Sequence, residues 1–131
     1  MEWFNKANFG IFIHWGIYSV PAFDDPTCAQ RRKIGNGAEW YFNRLKKTFR
    51  VGKSDTLTKN YHKEKYNDCD YYDFMKELTG KNFNADKWCS YIKSLGATYL
   101  VFTSKHHDGF CLWNTKTTDK NIMNTPIKKD V

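Results

Sequence analysis

Between Asn84 and Ser104 a helix signature runs directly into a strand signature, and this pair limits the fold more than any other stretch of the chain. Asn84 has a side chain suited to capping, Asp86 stands in the first turn, and Gly96 stands where a helix would close. Between them Trp88, Tyr91, Ile92 and Leu95 follow the i, i+3, i+4, i+7 rule of a helix with one apolar stripe. After a two-residue connection comes TYLVFTS, Thr98 to Ser104, a short apolar run rich in β-branched and aromatic residues that predicts a strand. An earlier run, FGIFIHWG from Phe9 to Gly16, has the same character and predicts a strand buried on both faces. Strand, long excursion, amphipathic helix, strand is the order of an α/β fold, a parallel sheet with right-handed crossovers.

The excursion is less regular. Ile17 to Gly37 holds Pro21, Pro26, Gly35 and Gly37 with a cluster Arg31-Arg32-Lys33, and predicts a long loop. Short helices are expected over Glu39 to Leu45 and Asp70 to Leu78, whereas Asp55 to Asp70 has no clear apolar period and supports no more than helical turns. Thr118 to Val131 predicts the next loop and the approach to another helix. Two parallel strands cannot close a barrel, which takes about 250 residues for eight units. The 131 residues therefore predict the first βα units of a larger sheet, a beginning without an end.

Composition excludes several classes. A formal charge of +7 invites a nucleic-acid partner. Yet only Arg31, Arg32, Arg44 and Arg50 are arginines, and the lysines are spread along the chain with no basic helix, so a solvated surface and no nucleic acid is the expectation. Cys28, Cys69, Cys89 and Cys111 form no CxxC pair and no zinc-like spacing. They are expected as buried thiols, although an even count also permits disulfides, and the compartment stays open. Met1 is followed by no basic n-region, and no apolar run approaches 18 residues, so neither an export signal nor a membrane anchor is expected within this stretch. An aromatic share of 18% is high and suggests a core or a cleft walled with rings.

Chemistry gathers at the strand ends. His14 closes the first strand, and His106, His107 and Asp108 follow the second. In parallel α/β folds ligands meet the carboxyl ends of strands, so polar residues there draw attention. Neighbouring residues of a regular strand point to opposite faces, so His106 and His107 share a cleft only if the chain twists out of the sheet there. Glu39 and Trp40, in AEWYF, pair a carboxylate able to accept from two sugar hydroxyls with an indole able to cover the apolar face of a pyranose. The structural alternatives are that each histidine is a satisfied core residue, that Glu39 favours a helix N-terminus, and that Trp40, like Trp15, Phe110 and Trp113, packs in the core. Two further classes stay open: a metal-dependent hydrolase using imidazole and carboxylate, although no HxH or HExxH pattern occurs, and a carbohydrate-binding module without chemistry.

In one order the sequence contains FGIFIHWGIYSVPAF, AEWY, FNADKW, GATYLVFTSKHHDGFCLW and a TD-x-N-x-MNTP stretch. Together these blocks, from about Trp3 to Val131, resemble the α-L-fucosidases of glycoside hydrolase family 29. The resemblance implies a (β/α)8-like, TIM-type barrel of which residues 1–131 are the N-terminal, incomplete part. It implies a hydrolase that cleaves terminal α-L-fucose from a fucosylated glycan or glycoside with retention, without metal or other cofactor. It also implies a fucose pocket lined by His14, Glu39, Trp40, His106 and His107. Retention requires two carboxyls about 5 to 5.5 Å apart. In the family the nucleophilic aspartate and the acid/base lie on later strands, expected beyond Val131, so no catalytic residue is assigned within the chain and little turnover is expected from it alone.

Overall fold

The computed structural model describes residues 5, 6, 8–24, 37–46 and 53–131. Cys28 and the Arg31-Arg32-Lys33 cluster lie outside the described residues. The chain divides into two compact units, Met1–His14 with Gly80–Thr103, and Trp15–Thr79 with Ser104–Val131. No helix among the described residues is long and apolar enough to cross a membrane.

The first unit is a small α/β arrangement. Strand β1, Gly10–Ile13, pairs in parallel with β2, Tyr99–Phe102, in the register Gly10 with Tyr99 through Ile13 with Phe102. Main-chain bonds continue the ladder at both ends, from Thr98 N to Phe9 O at 2.9 Å and from Thr103 N to Ile13 O at 3.0 Å. Gly10 has a steric reason for its place, since the ring of Tyr99 lies where a Cβ would be.

The helix of this unit, Ala85–Ser94, starts as its sequence dictates: the Asn84 side chain accepts from Lys87 N at 2.9 Å. Phe83 and Trp88 close around that start with ring centroids 5.1 Å apart, the apolar staple that fixes the angle of chain entry. Gly96 ends the helix at φ 87°, in the left-handed region. The stripe of Trp88, Tyr91, Ile92 and Leu95 faces Ile11 and Ile13 across a cleft of about 510 Å³.

The expected burial of the first strand on both faces does not hold. Phe12 is 62% exposed, and Tyr91 is 66% exposed on the helix. Ile11 and Ile13 line the cleft against the helix, and Phe12, which alternates with them along the strand, projects from the other face, where the His14 ring stacks on it at 5.0 Å. The strands are also shorter than their apolar runs, although the flanking Thr98 and Thr103 amides still bond across to the first strand's segment.

The second unit carries most of the core. Its fully buried side chains include Ile17, Tyr41, Tyr71, Phe74, Leu112 and Ile122, so the high aromatic share goes into rings packed on rings. A 3-10 turn, Ala38–Trp40, runs into the short helix α1, Tyr41–Lys46, and a second 3-10 helix covers Tyr71–Lys76, capped by Asp70 through Tyr72 N at 2.8 Å. Between them Lys53–Tyr66 is a 14-residue helix, α2, which makes Ala85–Ser94 α3. Its length corrects the expectation of mere turns. Thr58, Tyr61, His62 and Tyr66 do recur with helical spacing, but their polar atoms hide the stripe from an apolar count. Tyr61 stacks on Phe23 at 4.0 Å, Tyr66 meets Phe74 at 4.8 Å, and Thr58 and His62 are buried.

Several buried polar groups in this unit are paired. His62 Nε2 lies 2.9 Å from Cys69 O, an acceptor, so Nε2 carries the proton and Nδ1 is left to accept from the Tyr41 hydroxyl at 2.9 Å. Cys69, Cys89 and Cys111 are free thiols, and Cys89 is exposed rather than buried. Burial and nearby carboxylates push the Cys69 thiol up, which makes it a poor nucleophile.

Candidate functional site

In the second unit the KHHDGF segment is a turn rather than a strand, and this difference assembles the site. β2 ends at Phe102, and the chain is next held where Lys105 bridges Cys111, with Leu112 N donating to Ser104 O at 2.9 Å. Gly109, at φ 79°, lets its N–H return to His106 O at 3.0 Å. Released from strand alternation, His106 and His107 turn toward the same indole. The Trp40 ring meets His106 edge-on at 5.6 Å and His107 at a tilt at 4.8 Å, and the two imidazoles are 4.8 Å apart.

Asp108 holds that turn from below. It is 3% exposed, its Oδ2 accepts from Tyr71 Oη at 2.7 Å, and its Oδ1 accepts from Phe110 N at 3.1 Å. Its own carbonyl accepts from Tyr72 Oη at 2.6 Å. Burial raises the carboxyl above its ordinary range, while the bonds from Tyr71 and Phe110 and the nearby His106 oppose that rise. Both carboxylate oxygens are thereby committed to the protein, so Asp108 is an anchor of the turn.

Glu39 and Trp40 come from the 3-10 turn that opens α1. Trp40 N closes that turn on Gly37 O at 3.2 Å, and the Glu39 carboxylate folds back against Gly37, where a Cβ would overlap it. Gly37 has φ 96° and ψ 156°, a conformation open essentially to glycine alone. Tyr18, 3% exposed, meets His106 edge-on at 5.9 Å. Its phenol is held far above the ordinary tyrosine range by burial first, then by the Asp108 and Glu39 carboxylates. Tyr18 was not among the residues singled out from the sequence, where it read as the start of a loop.

His14 follows β1 in the first unit, at the carboxyl edge where β2 also ends, and its ring stacks on Phe12 at 5.0 Å. Of the five residues singled out for a sugar pocket, the second unit carries four, and it brings both imidazoles onto the indole next to Glu39. Phe110 is a core residue at 2% exposure. Among the described residues no three of His, Cys, Asp and Glu are placed to hold a metal ion.

Comparison with known proteins gives this geometry a family. The sequence model of the α-L-fucosidase family matches residues 1–131. An α-L-fucosidase of Dictyostelium discoideum is 41% identical over 87% of this chain and 22% of its own length, and the plasma α-L-fucosidase of Rattus norvegicus is 37% identical over 98% and 25%. Among solved structures, the α-fucosidase of Thermotoga maritima in complex with fucose superimposes with a TM-score of 0.82 at 42% identity, covering 98% of this chain and 29% of that one. The chain thus spans about a quarter of the length of the curated relatives it matches. With the matched family model covering every residue from Met1 to Val131, the chain belongs to the α-L-fucosidase family of glycoside hydrolases.

Proposed function

We propose that this chain supplies the recognition wall of a retaining α-L-fucosidase, the first βα units of a (β/α)8-like barrel, with Glu39, Trp40, His106, His107 and His14 as fucose ligands. One observation carries the reading: the Trp40 indole receives both imidazoles of the KHHDGF turn beside a carboxylate. An indole covers the apolar face and methyl edge of a deoxyhexose, Glu39 accepts from neighbouring ring hydroxyls, and imidazoles donate or accept at the others. The substrate class is a terminal α-L-fucoside on a glycan or aglycone.

Recognition and turnover separate in this chain. Retaining hydrolysis takes a nucleophilic carboxylate and an acid/base carboxyl about 5 to 5.5 Å apart. Asp108 is bound into its turn, and Glu39 is occupied as a ligand. We infer that the 131-residue polypeptide binds L-fucose weakly and has little or no turnover by itself. Isothermal titration with L-fucose tests the first half: heat that vanishes in Glu39→Ala supports the pocket, and unchanged heat in that variant rejects it. An aryl α-L-fucoside tests the second, since steady release of the phenol by the 131-residue chain would overturn it.

A further inference from the structure

Arg44 lies outside the sugar pocket, yet it grips the peptide on which Glu39 and Trp40 turn. It is a buried cation at 5% exposure on α1, and among the described residues its fork reaches Thr58, Phe23, Gly37 and Asp24. Nε donates to Thr58 Oγ1 on α2 at 3.0 Å, one terminal nitrogen donates to Phe23 O at 3.1 Å, and the other donates to Gly37 O at 3.1 Å and lies 3.4 Å from Asp24 Oδ1. The bond to Gly37 is the consequential one. The carbonyl that receives it is the same one that accepts from Trp40 N at 3.2 Å to close the Ala38–Trp40 turn.

A carbonyl oxygen has two lone pairs, and here the turn takes one and the guanidinium the other. At a glycine the adjoining torsions are otherwise the freest in the chain, so a peptide plane there turns easily unless something holds it. We propose that Arg44 is a positioning residue: through the Gly37 carbonyl it fixes the orientation of the turn that presents Glu39 and Trp40. This rests on the reading of those two side chains as fucose ligands. Lysine cannot replace the fork, because one ammonium cannot span the carbonyls of Phe23 and Gly37 and the hydroxyl of Thr58 in that planar arrangement.

The test compares wild type, Arg44→Lys and Thr58→Val by titrating each 131-residue chain with L-fucose, following the Trp40 indole N–H and the amides of residues 38–40 by NMR. Thr58→Val removes a bond to the same guanidinium without touching Gly37, so it lowers the melting temperature and keeps wild-type affinity. Arg44→Lys weakens affinity by about tenfold, the scale of a small misplacement of a binding group, and shifts the amides of residues 38–40 before any sugar is added. Arg44→Lys binding as tightly as wild type would overturn the proposal, as would equal losses of affinity in both variants. Should wild type itself bind no L-fucose, the pocket reading fails. The sugar-free spectra then decide the positioning role, since unshifted amides in Arg44→Lys would end it. Should Arg44→Lys not fold, Asp24→Asn loosens the guanidinium at a half-exposed partner and is read by the same amides: a shift supports the proposal and none overturns it.

Discussion

Tyr71 donates its phenolic hydrogen to Asp108 across 2.7 Å, with both side chains almost fully withdrawn from water. This bond connects the 3-10 helix Tyr71–Lys76 to the turn that carries His106 and His107. Removing the donor leaves a buried carboxylate oxygen unpaired, which costs about 1 to 3 kcal/mol. Tyr71→Phe is therefore expected to lower unfolding free energy by that amount in urea titrations. It should also raise the Asp108 carboxyl further, because the Tyr71 bond is among the forces holding it down. A carboxyl resonance of Asp108 that titrates at the same pH in both proteins would contradict this.

Alkaline sensitivity follows from the buried phenols. Tyr41 and Tyr71 are held above the ordinary value of 10.0, by burial first in each case, and Tyr66 is pushed up to about 12 by burial and its bond with Tyr61. The raised direction sets the sign. Below the unfolded value both states keep their protons and the stability is intact; above it the unfolded chain releases protons that the folded chain retains, so stability falls as pH rises toward the folded values. Urea midpoints should drop as pH rises from about 10 toward about 12, with phenolate absorbance rising in step with unfolding. Phenolate signal growing in full before any loss of structure would show that these rings ionise while folded.

Gly37→Ala tests the backbone beneath Glu39. At φ 96° and ψ 156°, with the Glu39 carboxylate where the methyl would go, alanine is strained twice over. Strain of this kind costs about 1 to 3 kcal/mol. The variant should melt lower and lose L-fucose heat together, because the new Cβ displaces the carboxylate. Retention of both would mean that the turn accommodates a side chain freely.

The cap of α3 makes a contrasting case. Asn84→Ala removes the acceptor for Lys87 N and should cost about 1 kcal/mol, while L-fucose affinity of the folded chain stays at the wild-type value. Thermal melts and titration on one preparation check both parts, and a loss of affinity at matched folding would tie this helix to the pocket.

Some of this was legible in the chain. Asn84 and Gly96 bracket α3 as read, Asp70 starts the 3-10 helix that follows it, and the runs around Ile11 and Leu100 form a parallel pair. Two readings failed for definite reasons. The stripe of α2 is built from threonine, tyrosine and histidine, whose burial depends on partners such as Arg44 and Tyr41 that lie on a different helix. The exposure of Phe12 followed from what covers a strand, which its own composition does not state.

The sequence by itself determined the local elements and the family, because capping, periodicity and contiguous motifs are relations between residues close along the chain. Tertiary structure alone decided that His106 and His107 meet the same indole, that Asp108 is spent on Tyr71, and that Arg44 reaches Phe23 and Thr58 while it holds Gly37. Each of these depends on a turn freed from strand alternation or on contacts between distant segments, and such contacts form only when the whole unit packs.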